Sequence, residues 1–413
     1  MLAVQTKNTN QLQNIFNKIL ENVPDYATDI ERQILIRKGL KSLHPEELGI
    51  LNAKIDEYLI LMRKLEASDI EIGGTTAQGM VWFRVYGQKN PYPELGKFTS
   101  DHTNILCQSI LSDKQWERLL DWRATDFSHV IENNGSMLRW RSTVYFDMGH
   151  LALNMRAIAD KIYPFSKLGI SPNITKFLSL GHEKQGLILI TGITGSGKST
   201  TMDSIIDANN RSFQGHIVII GDPIEQIHQS QKCIVRHREV GRDVLSFKDG
   251  AIQALRQDPD IIVVGEMRDP ETIMTCLEIT DTGHKVFSTL HTSTAVETID
   301  RIIAECPPIE QERVRNRLAD VLKVIISQKL IPSLDNKLVL AKEVLLVDSS
   351  VKAAIRNNNT HEIYQMISER GHLGMTTMEQ DLVRLYRNRL ISKENVYNYA
   401  NNKKRVHELM ISE

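Results

Sequence analysis

The stretch Leu187-Ile188-Leu189-Ile190-Thr191-Gly192-Ile193-Thr194-Gly195-Ser196-Gly197-Lys198-Ser199-Thr200 decides how this chain reads. Its apolar start has the character of a buried strand. Gly192 to Ser199 then matches G-x-x-x-x-G-K-[ST] at every fixed position, and Met202, Ile205 and Ile206 follow at helical spacing. Strand, glycine loop and helix is the arrangement that phosphate binding needs. Glycines let backbone N–H groups close on phosphate oxygens, and the helix turns its positive end to the same charge. Gly192, Thr194, Gly195, Ser196 and Gly197 supply the cradle. Lys198 is placed for the β- and γ-phosphates, and the Ser199 hydroxyl, with Thr200 beside it, for Mg²⁺. The implied ligand is a nucleoside triphosphate.

Downstream, the apolar runs LILITG, HIVIIGD, IIVVGE, KVFSTLHT and KEVLLVD alternate with helical stretches up to about residue 348. That pattern predicts an α/β domain with a mainly parallel sheet. Ligands of such sheets sit outside the carboxyl ends of the strands, so the residues just after each run are candidates. They are Asp222, Pro223 and Glu225, then Gly265, Glu266 and Arg268, then His291. Carboxylates there can hold Mg²⁺ or orient the attacking water, and His291 can sense the γ-phosphate. A single glutamate after a strand is ordinarily a surface carboxylate. Three such strand ends behind a phosphate loop favour the functional reading. His284 precedes the strand that His291 follows, and seven extended residues span roughly 23 Å. The two histidines are therefore no local metal pair, and for His284 a structural and a catalytic role both stay open.

Upstream, residues 1 to 66 read as a helical extension, with Ile30, Ile34, Leu40 and Leu43 at helical spacing. Residues 67 to 162 carry shorter strand candidates, SDIEIG, MVWFRVYG, DFSHVI, MLRWRSTVYF and LALNMRAI, and read as a small α+β domain. Alternation puts Leu138, Trp140, Val144 and Phe146 on one face and Arg139, Arg141, Thr143 and Tyr145 on the other. Arg156 shares a parity with Asn154 in the next strand. These arginines are either a solvated face or a cationic surface that meets phosphate across a domain or subunit boundary. Residues 163 to 173 read as a linker, 174 to 348 as the α/β domain, and 349 to 413 as a helical region.

Composition bounds the function. The chain has 413 residues, 50 basic and 51 acidic side chains and a formal net charge of −1. No whole-chain field favours nucleic acid or an anionic membrane, and no aromatic-basic stripe suggests a nucleic-acid translocase. The first residues lack a signal-peptide layout, and no run approaches the roughly 18 apolar residues of a bilayer span. A cytoplasmic chain with no direct membrane insertion is expected. Cys107, Cys233, Cys276 and Cys306 are scattered, which argues against a zinc site and a disulfide framework.

GITGSGKSTT, GDPIEQIH, VGRDVLSFKDGAIQALRQDPDIIVVGEMRD and TDTGHKVFSTLHT together resemble the type II secretion and type IV pilus ATPase superfamily. Within it they resemble the PilT-like retraction ATPases, over about residues 60 to 411. The resemblance implies a PAS-like first domain and a RecA-like second, in a homohexamer binding ATP and Mg²⁺ between domains. It makes Glu225 the residue that activates water, Glu266 a support for Mg²⁺ and water, and His291 a reporter on the γ-phosphate. Arg139, Arg141 and Arg156 become arginines offered to the nucleotide. It implies work beside an inner-membrane pilus platform protein, at the inner face of the membrane, with a paralogous ATPase as a further partner. Absence of C-x-x-C pairs and the segment Ala354-Ile355-Arg356-Asn357 favour retraction over assembly or secretion. Asn358, Asn359 and Thr360 stand where the family has Leu, Ile and Arg. Gly221 stands where the family has an acidic residue, which predicts slower turnover or altered metal handling and keeps a weakly hydrolysing regulatory subunit as a rival.

Overall fold

Period-two alternation builds the first sheet. Its strands are β1 (Ala67–Gly73), β2 (Val81–Val85), β3 (Gln88–Tyr92), β4 (Ala124–Asn133), β5 (Ser136–Asp147) and β6 (His150–Ala157). They pair antiparallel in the order β3-β2-β1-β6-β5-β4. The computed structural model describes residues 2–85, 87–133, 135–158, 161–335 and 337–411; Tyr86, in the second candidate strand, lies outside them. β3 reads QKNPY and is mostly exposed. It has no apolar alternation to betray it in the sequence, and Pro91 suits an edge position.

This sheet belongs to the first of two units, Met1–Asp160 and Lys161–Glu413. Helices α1 (Leu2–Leu20), α2 (Asp29–Lys41) and α3 (Pro45–Lys64) precede the sheet, and α4 (Ser100–Ser109) and α5 (Asp113–Trp122) fall between β3 and β4. Phe16, Ile19, Ile36, Leu51, Ile55, Tyr58 and Met62 join Ile70, Phe83, Trp140 and Leu153 in one apolar core. The N-terminal helices therefore complete the core of the sheet. In α2 the buried face runs through Gln33, Ile36, Arg37 and Leu40, whereas Ile34 is 47% exposed. Arg37 turns inward because its guanidinium donates to Gln108 O at 2.8 Å and Leu111 O at 2.9 Å, carbonyls at the end of α4 that attract a cation.

The second unit holds β7 (Gly186–Thr191), β8 (Gly215–Gly221), β9 (Cys233–Glu239), β10 (Ile261–Val264), β11 (Lys285–Leu290), β12 (Leu322–Pro332) and β13 (Leu338–Leu346). Their order is β13-β12-β7-β11-β10-β8-β9. All pairs are parallel except β12 with β13. Around them run α6 (Pro172–Leu178), α7 (Lys198–Ser212), α8 (Phe247–Ala254), α9 (Pro270–Asp281), α10 (Ala295–Glu305) and α11 (Gln311–Val321). β7, β10 and β11 are buried along their whole length, as expected of parallel strands covered on both faces.

In this second sheet two strands are not legible from the sequence. β9 sits at the sheet edge and carries Arg236, His237, Arg238 and Glu239, so its apolar signal stops after Val235. β12 begins at Leu322, directly after α11 ends at Val321, with no turn residue to announce it. Its neighbouring residues Gln328 and Lys329 point to opposite faces. Gln328 Nε2 donates to Ser196 O at 2.8 Å, and Lys329 Nζ to Tyr399 O at 2.8 Å and Asn401 Oδ1 at 2.6 Å.

After β13 come α12 (Ser349–Arg356), α13 (Ile363–Glu369), α14 (Met378–Arg387), α15 (Lys393–Tyr399) and α16 (Lys403–Ile411). Val351, Ile355, Ile363 and Ile367 of α12 and α13 join the core of the seven-stranded sheet, whereas Met378, Leu382, Ile391, Val396 and Val406 form a separate core on the β12–β13 hairpin through Ile331 and Ala341. Buried Glu343 on β13 accepts from Ala295 N at 2.7 Å, holding the start of α10. Buried Glu379 accepts from Asn401 N at 3.0 Å and Asn402 N at 2.9 Å.

Candidate active site

Register fixes the site. Val264 lies beside Ile220 and Ser288, and Leu290 beside Thr191, so the carboxyl ends of β7, β8, β10 and β11 finish along one edge. The phosphate loop opens from that edge at Gly192, whose φ is 148°. A Cβ there would stand 2.3 Å from Ser196 Oγ and 2.5 Å from Gln328 O, so only glycine fits. Gly197, with φ 85°, is the N-cap of α7, and no side chain caps that helix. The first-turn N–H groups and the positive end of α7 thus face outward beside exposed Thr194, Ser199 and Thr200. Gln328 was missed in the sequence: it lies 132 positions from the Ser196 carbonyl it holds, and no local pattern records such a contact.

Lys198 folds back over the loop. Its Nζ donates to Gly192 O at 2.8 Å and Ile193 O at 3.2 Å. It also lies 3.4 Å from His291 Nδ1. His291 Nε2 is 3.2 Å from Glu266 Oε1, and Glu266 Oε2 is 2.7 Å from Arg268 Nη2. The four side chains form a row, Lys198, His291, Glu266, Arg268, across the ends of β7, β11 and β10. An ammonium only donates and a carboxylate only accepts, so His291 is neutral in this row, with its proton on Nε2. Arg301 Nη1 donates to His291 O at 2.9 Å and fixes its backbone.

Electrostatics agrees with the geometry. Burial lowers the Lys198 ammonium from its usual range, and the negative charges of Glu266 and Glu225 oppose the shift. Glu225, in the loop after β8, is thereby close enough to act on the phosphate-site lysine. His291 is lowered first by burial and next by Lys198; Glu266 opposes, and Arg268 and Arg301 add to the lowering. Gly221 is buried at the end of β8, and a Cβ there would meet only the end of the Ile224 side chain within 3 Å.

The structure brings Gly192, Thr194, Gly195, Ser196, Gly197, Lys198, Ser199, Thr200, Glu225, Glu266 and His291 to this edge of the second unit. His284 is at the amino end of β11, away from His291, with Nδ1 3.0 Å from Thr282 Oγ1. Arg139, Arg141 and Arg156 belong to the first unit. Arg141 is exposed and pairs with Arg156 across β5 and β6; Arg156 Nε donates to Asp69 Oδ1 at 2.8 Å. Arg139, which shares Arg141's parity, is only 8% exposed and donates to Ser128 Oγ at 3.2 Å. The four cysteines are buried free thiols, and burial pushes Cys107 and Cys276 up to about 12. Among the described residues no group of three or more His, Cys, Asp or Glu side chains gathers as a metal site, and no helix is long and apolar enough to cross a membrane.

The chain can now be set beside known proteins. Residues 125–410 match the model of the family described as type II/IV secretion system protein. The chain is 38% identical over 341 residues to the type IV pilus retraction ATPase PilT of Pseudomonas aeruginosa, covering 83% of this chain and 96% of that protein. It is 36% identical over 320 residues to a twitching motility protein of Neisseria gonorrhoeae, covering 77% and 84%. A crystal structure of the pilus retraction motor PilT with bound ADP superposes with a TM-score of 0.76 at 38% identity, covering 85% of this chain and 98% of that one. With this overlap, and with the phosphate loop and the Glu266–His291 row in place, the chain belongs to the type II/IV secretion system protein family, among its pilus-retraction ATPases.

Proposed function

We propose that this chain is an ATP-hydrolysing motor that powers type IV pilus retraction, the process behind twitching motility. The observation that carries the reading is the row Lys198, His291, Glu266, Arg268 at the mouth of a complete phosphate loop. The likeness to PilT over 96% of that protein's length supports the assignment of its task.

The residues fit a bound triphosphate. Lys198 exchanges the Gly192 and Ile193 carbonyls for β- and γ-phosphate oxygens, whose charge offsets the desolvation of the ammonium. The uncapped start of α7 and the loop N–H groups bind the remaining oxygens. Ser199 would hold Mg²⁺, with Glu266 behind it through water; when bound, the ion neutralises charge on the phosphates. Glu225 takes the proton of the attacking water. His291, gripped between Lys198 and Glu266, responds when Lys198 moves to the γ-phosphate.

The first unit is read as PAS-like and the second as RecA-like. The working form is a homohexamer, in which exposed Arg141, with Arg156 beside it and Arg139 behind, meets the nucleotide of a neighbouring subunit. The motor acts in the cytoplasm against an inner-membrane pilus platform protein, beside a paralogous ATPase. Gly221 favours a second reading, a ring subunit that binds ATP and hydrolyses it slowly.

Hydrolysis of ATP by the purified oligomer, with Lys198→Ala as the blank, tests both. Mg²⁺-dependent turnover well above the blank supports the motor. Bound ATP without turnover supports the regulatory subunit.

A further inference from the structure

The loop that carries Glu225 is tied down at a point the chemistry itself does not touch. Between β8 and β9 the chain runs from Asp222 to Lys232, with Glu225 in its first half. Three residues further on, the His228 side chain is 0% exposed, and its Nε2 lies 3.0 Å from Asp203 Oδ1. Asp203 is on α7, the helix whose first residues are Lys198 and Ser199. The His228 backbone N–H donates to His237 Nε2 on β9 at 3.0 Å, and the two imidazoles stack with centroids 6.1 Å apart and planes 8° from parallel.

These contacts fix the proton positions. The Asp203 carboxylate only accepts, so His228 carries its proton on Nε2; His237 Nε2 accepts from a backbone N–H, so its proton is on Nδ1. That leaves His228 Nδ1 buried without a hydrogen-bond partner. Such a nitrogen is a cost in a packed interior, one that an apolar side chain of similar volume would not incur. The imidazole is therefore accounted for by its bond to Asp203 rather than by filling space. Other ties between this loop and α7 lie beyond it: Asn210 Nδ2 donates to Gln229 O at 2.8 Å, and Asn210 Oδ1 accepts from Gln231 N at 3.0 Å.

We propose that His228 is a positioning residue for hydrolysis: its hydrogen bond to Asp203 fixes the Glu225 loop against the helix that presents Lys198 and Ser199. Together with the Ile224 N–H, which donates to Glu239 Oε2 on β9 at 3.2 Å, this bond sets the distance between the water-activating carboxylate and the phosphates. This rests on the reading of Glu225 as the residue that activates water.

The test uses the full-length oligomer, steady-state ATP hydrolysis and binding of a fluorescent ADP analogue. His228→Leu should lower kcat about tenfold or more, because misplacing a catalytic group by about 1 Å can cost about a hundredfold, while KM and analogue affinity stay within about twofold. His228→Gln keeps an N–H near the Nε2 position and should recover kcat to within about threefold of the parent. Asp203→Ala cuts the same bond from the α7 side, where the carboxylate is 22% exposed and no buried imidazole is replaced, and should reproduce the kcat loss even if His228→Leu does not fold. Added to Glu225→Gln, either change should cost nothing further. A parent-like kcat in Asp203→Ala, a Gln variant as slow as the Leu variant, or a full additional loss in the Glu225→Gln background would each overturn the positioning role. Parent-rate turnover by Glu225→Gln itself would instead remove the Glu225 reading on which it stands.

Discussion

Lys198 donates to two carbonyls of its own loop and faces the lone pair of His291, so its replacement removes both a phosphate ligand and the end of the row. Lys198→Ala should abolish measurable hydrolysis and weaken nucleotide binding, which titration with the fluorescent analogue would show. Glu225→Gln keeps size and hydrogen bonding but cannot accept a proton. It should bind ATP like the parent and turn over about 10²- to 10⁴-fold more slowly, the usual worth of a general base. At Gly221 the backbone is not left-handed, and a new Cβ would meet a movable Ile224 methyl at 2.9 Å and the Pro223 carbonyl oxygen at 3.2 Å, which a few tenths of an ångström of give would relieve. Gly221→Glu should therefore fold and raise kcat or shift the Mg²⁺ dependence; an unchanged rate at every Mg²⁺ concentration would refute the idea that a carboxylate is missing. Most of this site was legible because each residue directly follows an apolar run, a position that topology converts into proximity. Arg139 and Arg141 show the limit: alternation gives them one face, but which part of a face is covered depends on distant packing, and one arginine is buried while the other is exposed.

At the scale of elements, β13 and α10 are joined by a buried carboxylate. Burial, the largest effect, raises Glu343 from the ordinary 4.5 to about 7; the Ala295 N–H opposes and the charge of Glu379 adds to the rise. The folded state thus holds a proton that the unfolded chain releases between those two pH values. The resulting stabilisation is fully present below the lower value and lost as pH rises through the higher one. Glu343→Gln should flatten this dependence, seen as a smaller fall in Tm between about pH 5 and about pH 8 than the parent shows. The elements that escaped the sequence, β3, β9 and β12, share a cause. Each lacks either apolar alternation or flanking turn residues, and each pairs with a strand whose own apolar pattern is plain: β3 with β2, β9 with β8 and β12 with β7. Their strand character comes from tertiary pairing more than from local preference.

Across the whole molecule, the helices before the first sheet are structural members of its unit. Phe16 is 1% exposed and stacks on His102 at 4.3 Å between ring centroids. Phe16→Ala should cost about 3–5 kcal/mol of stability, measured by denaturant unfolding of the full chain; a loss near zero would mean the helix is peripheral to the core. The sequence offers two roles for these helices, docking and covering the first domain, and does not show which face covers, because the buried stripe of α2 includes Gln33 and Arg37, polar residues whose partners lie far along the chain. A wider consequence follows from β12. Gln328 grips the phosphate loop on one side of this strand while Lys329 grips the α15–α16 joint on the other. The phosphate loop and the joint between the last two helices thus hang from adjacent residues of one strand, so that the Ser196 carbonyl at one end of the fold and Tyr399 and Asn401 at the other share a single covalent support.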